Sequence, residues 1–568
     1  MKLLMLATIF LTAPLESTPR LRRPTALVLS QDGARMFVAN GKSGSLSVID
    51  TKSARVVSEH DIGRDLVDLA LIPDSHRFLV VDQTAGALLL IEECEGRVRV
   101  IDCQAVAPDP VAIVVARDGR SCVVASRWSR TLTFVELSPT KLSITRTLAL
   151  PFSPMKLTFA RGSSRLVVAD AFGGKLVIVD PLSGKLQSIR TIPGQNIRGL
   201  AESPDGQTLV IALQVLRKLA HTTFEDIHWG SLLSNDLLVL KLDALLTPEP
   251  GSDPLHGSRS IDLGDTGNGA GDPSALAFAS DGHLVVALGG VDEVRIGSNA
   301  TRLSTHSGVG RRPSALAISL DSKTLYVANR LDGTVSMIDL PTGVLRSLVS
   351  LGPRPELTAV DRGERLFYDA RLSHDGWLSC HSCHGDGHTS GGNSDTLGDG
   401  GFGAPKRIPS LLGVGRTGPW GWLGGMQRLD DQVRQSITSS MQGAKPSEAI
   451  VADLVAYIQN LEVPAPVATG DIASVERGRE LFRKRGCAKC HEPPLYTTPG
   501  TYDVGIADEV GNKRFNPPSL LGVGHRDLHL HDGRSHSLED LFLKHGHPRN
   551  SEFSPRDITD LVAFLRSL

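Results

Sequence analysis

The chain has 568 residues, 40% hydrophobic and 21% charged, which excludes a disordered tail and supplies enough apolar chain for several cores. A formal net charge of −2 excludes a generally cationic surface of the kind that holds nucleic acid. Past the N-terminus no apolar run approaches the ~20 residues needed to span a bilayer, so no transmembrane span is expected in the mature chain.

Residues 1–19 read as a secretory signal: Lys2 precedes a short apolar run from Leu3 to Leu11. Of the seven cysteines, Cys380, Cys383, Cys487 and Cys490 form two C-x-x-C pairs. Cys94, Cys103 and Cys122 stand apart. Cys94 and Cys103 either form a disulfide in an oxidising compartment or serve as small core residues.

Residues 20–352 carry one unit seven times, with starts near Pro24, Leu66, Pro110, Pro154, Ile197, Pro273 and Pro313. Its clearest copies run from Pro24-Thr25-Ala26-Leu27 to Val38-Ala39-Asn40 and Val48-Ile49-Asp50, and from Pro313-Ser314-Ala315-Leu316 to Val327-Ala328-Asn329 and Met337-Ile338-Asp339. Short alternating apolar runs separated by turns such as Pro204-Asp205-Gly206 are strand signals. A period of about 42 residues with four strands per unit predicts an all-β, seven-bladed propeller. An insertion of about 33 residues follows the fifth copy, within about 213–270. It holds His221-Thr222-Thr223-Phe224-Glu225-Asp226-Ile227-His228-Trp229, either a metal loop, a flap over the next domain or a solvated loop. The V-A-N and Y-V-A-N strings resemble YVTN-type propeller repeats.

After residue 355 the period ends. Cys380-His381-Ser382-Cys383-His384 and Cys487-Ala488-Lys489-Cys490-His491 are both C-x-x-C-H, the attachment motif of c-type haem. Two thiols bind the vinyl groups, and His384 or His491 supplies the proximal iron ligand. Two covalently bound haems c are therefore expected. Because haem c is attached outside the bacterial cytoplasm, the motifs strengthen the expectation of a periplasmic or otherwise exported protein.

The surroundings are duplicated too. Arg362-Gly363-Glu364-Arg365-Leu366-Phe367 is echoed by Arg477-Gly478-Arg479-Glu480-Leu481-Phe482. Pro409-Ser410-Leu411 is echoed by Pro518-Ser519-Leu520, and Asp453-Leu454-Val455-Ala456-Tyr457 by Asp560-Leu561-Val562-Ala563-Phe564. Each lobe thus has a leading helix with a Gly and a closing helix with an aromatic; the Gly allows a close crossing. The spacing predicts a mainly α module of two cytochrome c-like lobes, 356–463 and 470–568, joined at Pro464-Ala465-Pro466.

Residues 355–568 resemble the bacterial di-haem cytochrome c peroxidases, a family that includes the di-haem enzyme maturing the tryptophan-derived cofactor of methylamine dehydrogenase. The carrying strings are Leu366-Phe367-Tyr368-Asp369-Ala370-Arg371-Leu372-Ser373, Pro518-Ser519-Leu520, His531-Asp532-Gly533 and Ser537-Leu538-Glu539-Asp540. The resemblance implies one haem that meets peroxide and one that relays electrons, with a tryptophan between them. Trp422 best matches that tryptophan, with Trp420 nearby. Gln442 stands where the family places a catalytic Glu, and an amide cannot accept and return a proton. Arg407 replaces the family's calcium-binding Asn, which argues against bound calcium.

No Met follows His491, so the second haem cannot take a Met from its own lobe. His545 follows Leu538-Glu539-Asp540 at the family's ligand spacing and is the favoured sixth ligand, with His529 the alternative. In the first lobe Met441 either ligates the haem, making it an electron carrier, or is a core residue, leaving a position open to peroxide. Arg483, Lys484, Arg485 and Lys489 form a basic collar that either docks an acidic redox partner or is a solvated face. The sequence thus reads as an exported di-haem cytochrome performing one-electron transfer with a redox protein partner, with hydrogen peroxide as a possible final acceptor and the propeller as scaffold. The alternative is a propeller-led binding protein whose haems only service a bound partner.

Overall fold

The computed structural model describes residues 18–568 apart from 95, 162, 248–252, 254, 468–470 and 550; nearly all of the expected signal segment lies outside the described residues. Seven four-stranded antiparallel sheets follow one another in chain order, each built from a contiguous stretch. Their inner strands begin at Pro24, Leu66, Pro110, Pro154, Gln195, Pro273 and Pro313. The ring closes where blade seven meets blade one: Leu27, Met36, Tyr326 and Ala328 share one buried cluster, and Ser314 Oγ donates to the Pro24 carbonyl at 3.3 Å.

The repeat signature has a physical reading. The second strand of a blade is covered on both faces by neighbouring blades, so Arg35–Asn40 and Thr324–Asn329 are buried apart from their first residue. The Asn that ends each run is fully buried and bonds across the next strand. Asn40 Nδ2 donates to Ser45 Oγ and Ser47 Oγ at 3.1 and 2.8 Å, and Asn329 Nδ2 to Thr334 Oγ1 and Ser336 Oγ at 2.9 Å each. Outer strands such as Lys185–Thr191 alternate between exposed and half-buried.

Blade five divides the expected 213–270 insertion. Leu233–Lys241 and Arg259–Asp262 are its third and fourth strands, so the extra residues fall in the 217–232 loop and, from the short helix Leu242–Leu246 onward, between the third and fourth strands. Cys94 and Cys103 are unbonded: Cys94 pairs with Arg97 and Cys103 with Leu89, which places them far apart along the ladder.

Beyond residue 355 the chain is mainly helical. Helix Ala359–Phe367 crosses Glu448–Gln459, and Ile472–Lys484 crosses Pro555–Arg566. At the crossings a Cβ on Gly363 would lie 1.9 Å from the Asp453 carbonyl oxygen, and one on Gly478 would lie 1.9 Å from that of Asp560. An Arg locks each pair: Arg362 grips Asp453 with two 2.8 Å bonds, and Arg477 grips Asp560 likewise. Among the described residues no helix is long and apolar enough to cross a membrane.

The two parts share a core. Ile227 and Leu232 of the 217–232 loop and Leu233, which opens the next strand, are buried in one cluster with Phe367, Trp377, Leu454 and Met441 of the first lobe.

Candidate functional site

One repeat position builds the platform for the first lobe. Arg23, Asp109, Asn196, Asp272 and Arg312 stand at the starts of five inner strands, all with φ between 50 and 59°. Non-glycine residues adopt that region only where surroundings enforce it. Arg23 pairs with Glu364 at 2.7 Å, and the Arg312 guanidinium lies 3.0 Å from the Tyr368 ring centroid. Asp109 acts through Arg127, which bridges to Asp386 at 3.1 Å.

Asn196 and Asp272 hold the first C-x-x-C-H segment itself. Asp272 accepts from the hydroxyls of Ser379 and Ser382, the latter at 2.6 Å. Asn196 and Gln195 donate to the Ser382 carbonyl at 2.7 and 2.8 Å, and Gln214 donates to Ser382 Oγ at 3.1 Å. The two variable residues of the motif, His381 and Ser382, therefore face the propeller and are buried. Burial alone would raise the Asp386 carboxyl, but the Arg198 and Arg127 guanidiniums hold it well below its usual range. Burial keeps His381 neutral, and its Nδ1 accepts from the Asp386 amide at 3.0 Å. A cavity of about 230 Å³ along the propeller axis is lined by Arg198, Arg312, Arg330 and, from the lobe, His381 and Asp386.

His384 and His491 share one arrangement. Nδ1 of His384 lies 2.9 Å from the Pro409 carbonyl, and Nδ1 of His491 lies 3.1 Å from that of Tyr496. That nitrogen donates, so Nε2 keeps its lone pair for a metal. Burial pushes both rings down to about 4, which keeps the lone pairs free at neutral pH. The first Pro-Ser-Leu string thus supplies an acceptor for the proximal imidazole.

In the second lobe a cavity of about 380 Å³ is bounded by Cys487, Cys490, His491, Phe482, Leu541 and Leu565. Across it stands His547, its ring centroid 6.5 Å from that of His491 and its plane turned by 72°. Burial lowers His547 to about 4. His545, the ligand expected from spacing, is not in the cavity wall; its Nε2 lies 3.2 Å from the Arg534 carbonyl. His529 lines the cavity with Nε2 buried and unpartnered, and both ring nitrogens of His531 are likewise unpartnered. Arg407 and Arg526 also line it. Burial lowers them to about 9 and 10, and among the described residues neither has a carboxylate partner. An apolar slot with two thiols, an imidazole on each side and two guanidiniums without counter-ions fits a haem bearing two carboxylates.

Trp422 lines this second cavity and donates its indole N–H to the Arg407 carbonyl at 2.7 Å. Trp420 instead packs on the first-lobe core and donates to the Val414 carbonyl at 3.1 Å. Met441 is buried in that core, which Cys380 also contacts. It follows a π turn, Ser436–Ser440. Gln442 has φ 50°, and its amide donates to the carbonyls of Thr222 and Ser439 at 2.7 and 2.9 Å. The His221 loop is therefore a flap over the first lobe: its Thr222 amide also donates to the Asp395 carbonyl at 3.2 Å.

Trp128 had no sequence signal. It lies between the lobes, with centroids 5.2 Å from His388 and 5.1 Å from His525. Asp386, Arg526 and His547 were missed as well. Asp386 is two residues past the first motif, but its partners come from blades distant in sequence.

The fold and the paired motifs define a two-lobed c-type cytochrome seated on a β-propeller. The family model for di-haem cytochrome c peroxidase matches residues 358–463, and that for cytochrome c matches 475–568. Methylamine utilization protein MauG of Methylorubrum extorquens is 30% identical over 278 residues, covering 38% of this chain and 78% of the relative. The chain belongs to the di-haem cytochrome c peroxidase family, whose haem c chemistry is electron transfer of a peroxidase-like kind. Cytochrome c551 peroxidase of Nitrosomonas europaea is 25% identical over 36% of this chain and 78% of the relative. Hydrazine synthase subunit gamma of Kuenenia stuttgartiensis is 27% identical over 36% of this chain and 76% of its own length. A hydrazine synthase structure from the same organism covers 59% of this chain and 100% of that chain, with a TM-score of 0.50 and 17% identity, a likeness of fold.

Proposed function

We propose that this protein is an exported di-haem c-type cytochrome that carries single electrons between protein partners, with the propeller as the fixed seat of its first haem lobe. Haem c, attached through Cys380 and Cys383 in one lobe and Cys487 and Cys490 in the other, supplies a one-electron iron couple at each site. His384 and Met441 would hold the first iron, and His491 and His547 the second.

The observation that carries this reading is the His491–His547 pair. The two imidazoles stand across the cysteine-lined cavity with ring centroids 6.5 Å apart, and would hold a haem iron from both sides. A site held on both sides would supply electron transfer without an open position for substrate. Gln442 supports the same reading, because its amide N–H groups are committed to two carbonyls and an amide does not serve as a general acid or base.

The propeller covers the outer face of the first motif, so partners reach the second lobe instead. Arg485 and Lys489 line the second cavity and are exposed. They would guide an acidic partner to that edge, and the Arg407 guanidinium would exclude calcium from the lobe interface. Reversing both charges (Arg485→Glu with Lys489→Glu) should slow reduction by an acidic electron-transfer protein by about tenfold at low salt. The difference should vanish near 1 M salt, where the screening length is about 3 Å. Stopped-flow absorbance reads this directly; an unchanged low-salt rate would remove the second lobe as the docking edge.

A further inference from the structure

We propose that His228, His374 and Asp375 form a binding site for a zinc-type divalent cation that joins blade five to the segment leading into the first haem motif. His228 ends the short helix Phe224–His228 in the 217–232 loop of the propeller. His374 and Asp375 lie just ahead of Cys380. Three ligand atoms converge: His228 Nδ1 is 2.9 Å from Asp375 Oδ2 and 3.1 Å from His374 Nε2, and His374 Nε2 is 3.1 Å from Asp375 Oδ2.

This triangle is poorly satisfied by hydrogen bonds alone. The carboxylate oxygen only accepts. If both nitrogens carry protons, two donors face each other; if only one does, the other nitrogen turns a lone pair on the oxygen. A ring of three atoms cannot alternate donor and acceptor, so one contact always sets like against like. A cation accepts all three lone pairs together. Edges of 2.9 to 3.1 Å give the triangle a radius of about 1.75 Å. An ion about 1.1 Å above its plane would then lie about 2.0–2.1 Å from each atom, the usual zinc–nitrogen and zinc–oxygen length.

The ligands are held from both sides. Asp375 sits at φ 54°, where its carbonyl accepts from the Gly269 amide at 2.7 Å, and the Gly267 amide donates to Oδ2 at 3.2 Å. Trp377 is wedged against Gly230, Gly264 and Gly269, where a Cβ would come within 2.4–2.5 Å of it. Phe224 covers the two imidazoles, with ring centroids 5.5 Å from His228 and 4.4 Å from His374. The ligand side chains remain 21 to 27% exposed, so an ion and one water can reach them. Two imidazoles and one carboxylate favour zinc over magnesium or calcium, which prefer all-oxygen sites.

The test uses the full-length haem-loaded protein, stripped with chelator, equilibrated with zinc chloride and desalted. Elemental analysis should find one zinc per chain in the wild type and none in His228→Ala or His374→Ala. His283→Ala should keep the zinc, since it removes only an exposed His–Asp pair, 3.0 Å long, elsewhere on the propeller. Zinc X-ray absorption on the wild type, which needs no variant, should show two imidazoles in the shell. A wild type that retains no zinc, an imidazole-free shell, or a full zinc complement in His228→Ala would each overturn the site.

Discussion

Replacing His547 with Ala is expected to turn the second haem from six-coordinate low-spin to high-spin, with the low-spin EPR signal of that haem lost almost completely. The lobe offers no substitute of equal geometry. It contains no Met beyond His491, so thioether ligation cannot rescue the site. His529 does line the cavity, but burial, with the nearby Arg407 and Arg526, pushes it down to about 3. That placement suits it to the carboxylate end of a haem rather than to the iron. His545→Ala is the matched control, two residues away, with its ring turned to the Arg534 carbonyl. It should leave the low-spin signal unchanged. If His545→Ala produced the high-spin species and His547→Ala did not, the ligand assignment would be reversed and the spacing argument restored.

Gly478→Ala should cost the second lobe about 3 kcal/mol or more, because overpacking against an unyielding backbone sits at the upper end of small-to-large penalties. Two effects compete. Ala gains about 1 kcal/mol over Gly in a helix interior. Against this, the added Cβ would lie 1.9 Å from the Asp560 carbonyl oxygen and 2.7 Å from Phe564 Cβ, and neither atom can swing aside. The helices must separate, which strains both bonds from Arg477 to Asp560. For a lobe of this size the unfolding midpoint should fall by about 10 °C or more, followed by circular dichroism in the haem band. Gly363→Ala should act the same way in the first lobe, where the clash is with Asp453. Gly308→Ala, with nothing within 4 Å of the added carbon, should be nearly silent. Equal melting of Gly478→Ala and wild type would mean the helices cross less closely than described.

The repeat and the duplication were legible because local rules carry them. The Asn of V-A-N bonds five and seven residues onward, so the signature and its cause lie in one hairpin. The Gly and Asp of each lobe are read from matching strings, because the same helix crossing occurs twice. What was not legible depends on long-range placement. His545 and His547 look alike in sequence. The turn after helix Leu538–Leu543 decides which faces the cavity, and the Leu541 carbonyl accepts from the His547 amide there. Trp128 gains its meaning only when two lobes more than 250 residues downstream fold over blade three. The insertion was misdivided because two strands of blade five lie within it, and their apolar runs are interrupted by loops without the repeat's markers.

The platform of five strained residues gives the propeller a stated task. Asp272, Asn196 and Gln214 hold the outer face of the first motif, and the 217–232 loop closes over Gln442. A first site covered in this way, with Met441 buried in the adjoining core, is what the proposed electron-transfer role calls for. The most direct test is the EPR spectrum of the haem-loaded protein, fully oxidised and then reduced by one electron, before and after adding hydrogen peroxide. Both haems should be low-spin in the oxidised state, the remaining ferric haem should stay low-spin after one-electron reduction, and peroxide should leave the line shapes unchanged. A high-spin signal in either state that disappears when peroxide is added would contradict the account and make the first site a peroxidase centre, with Met441 only packing beside it.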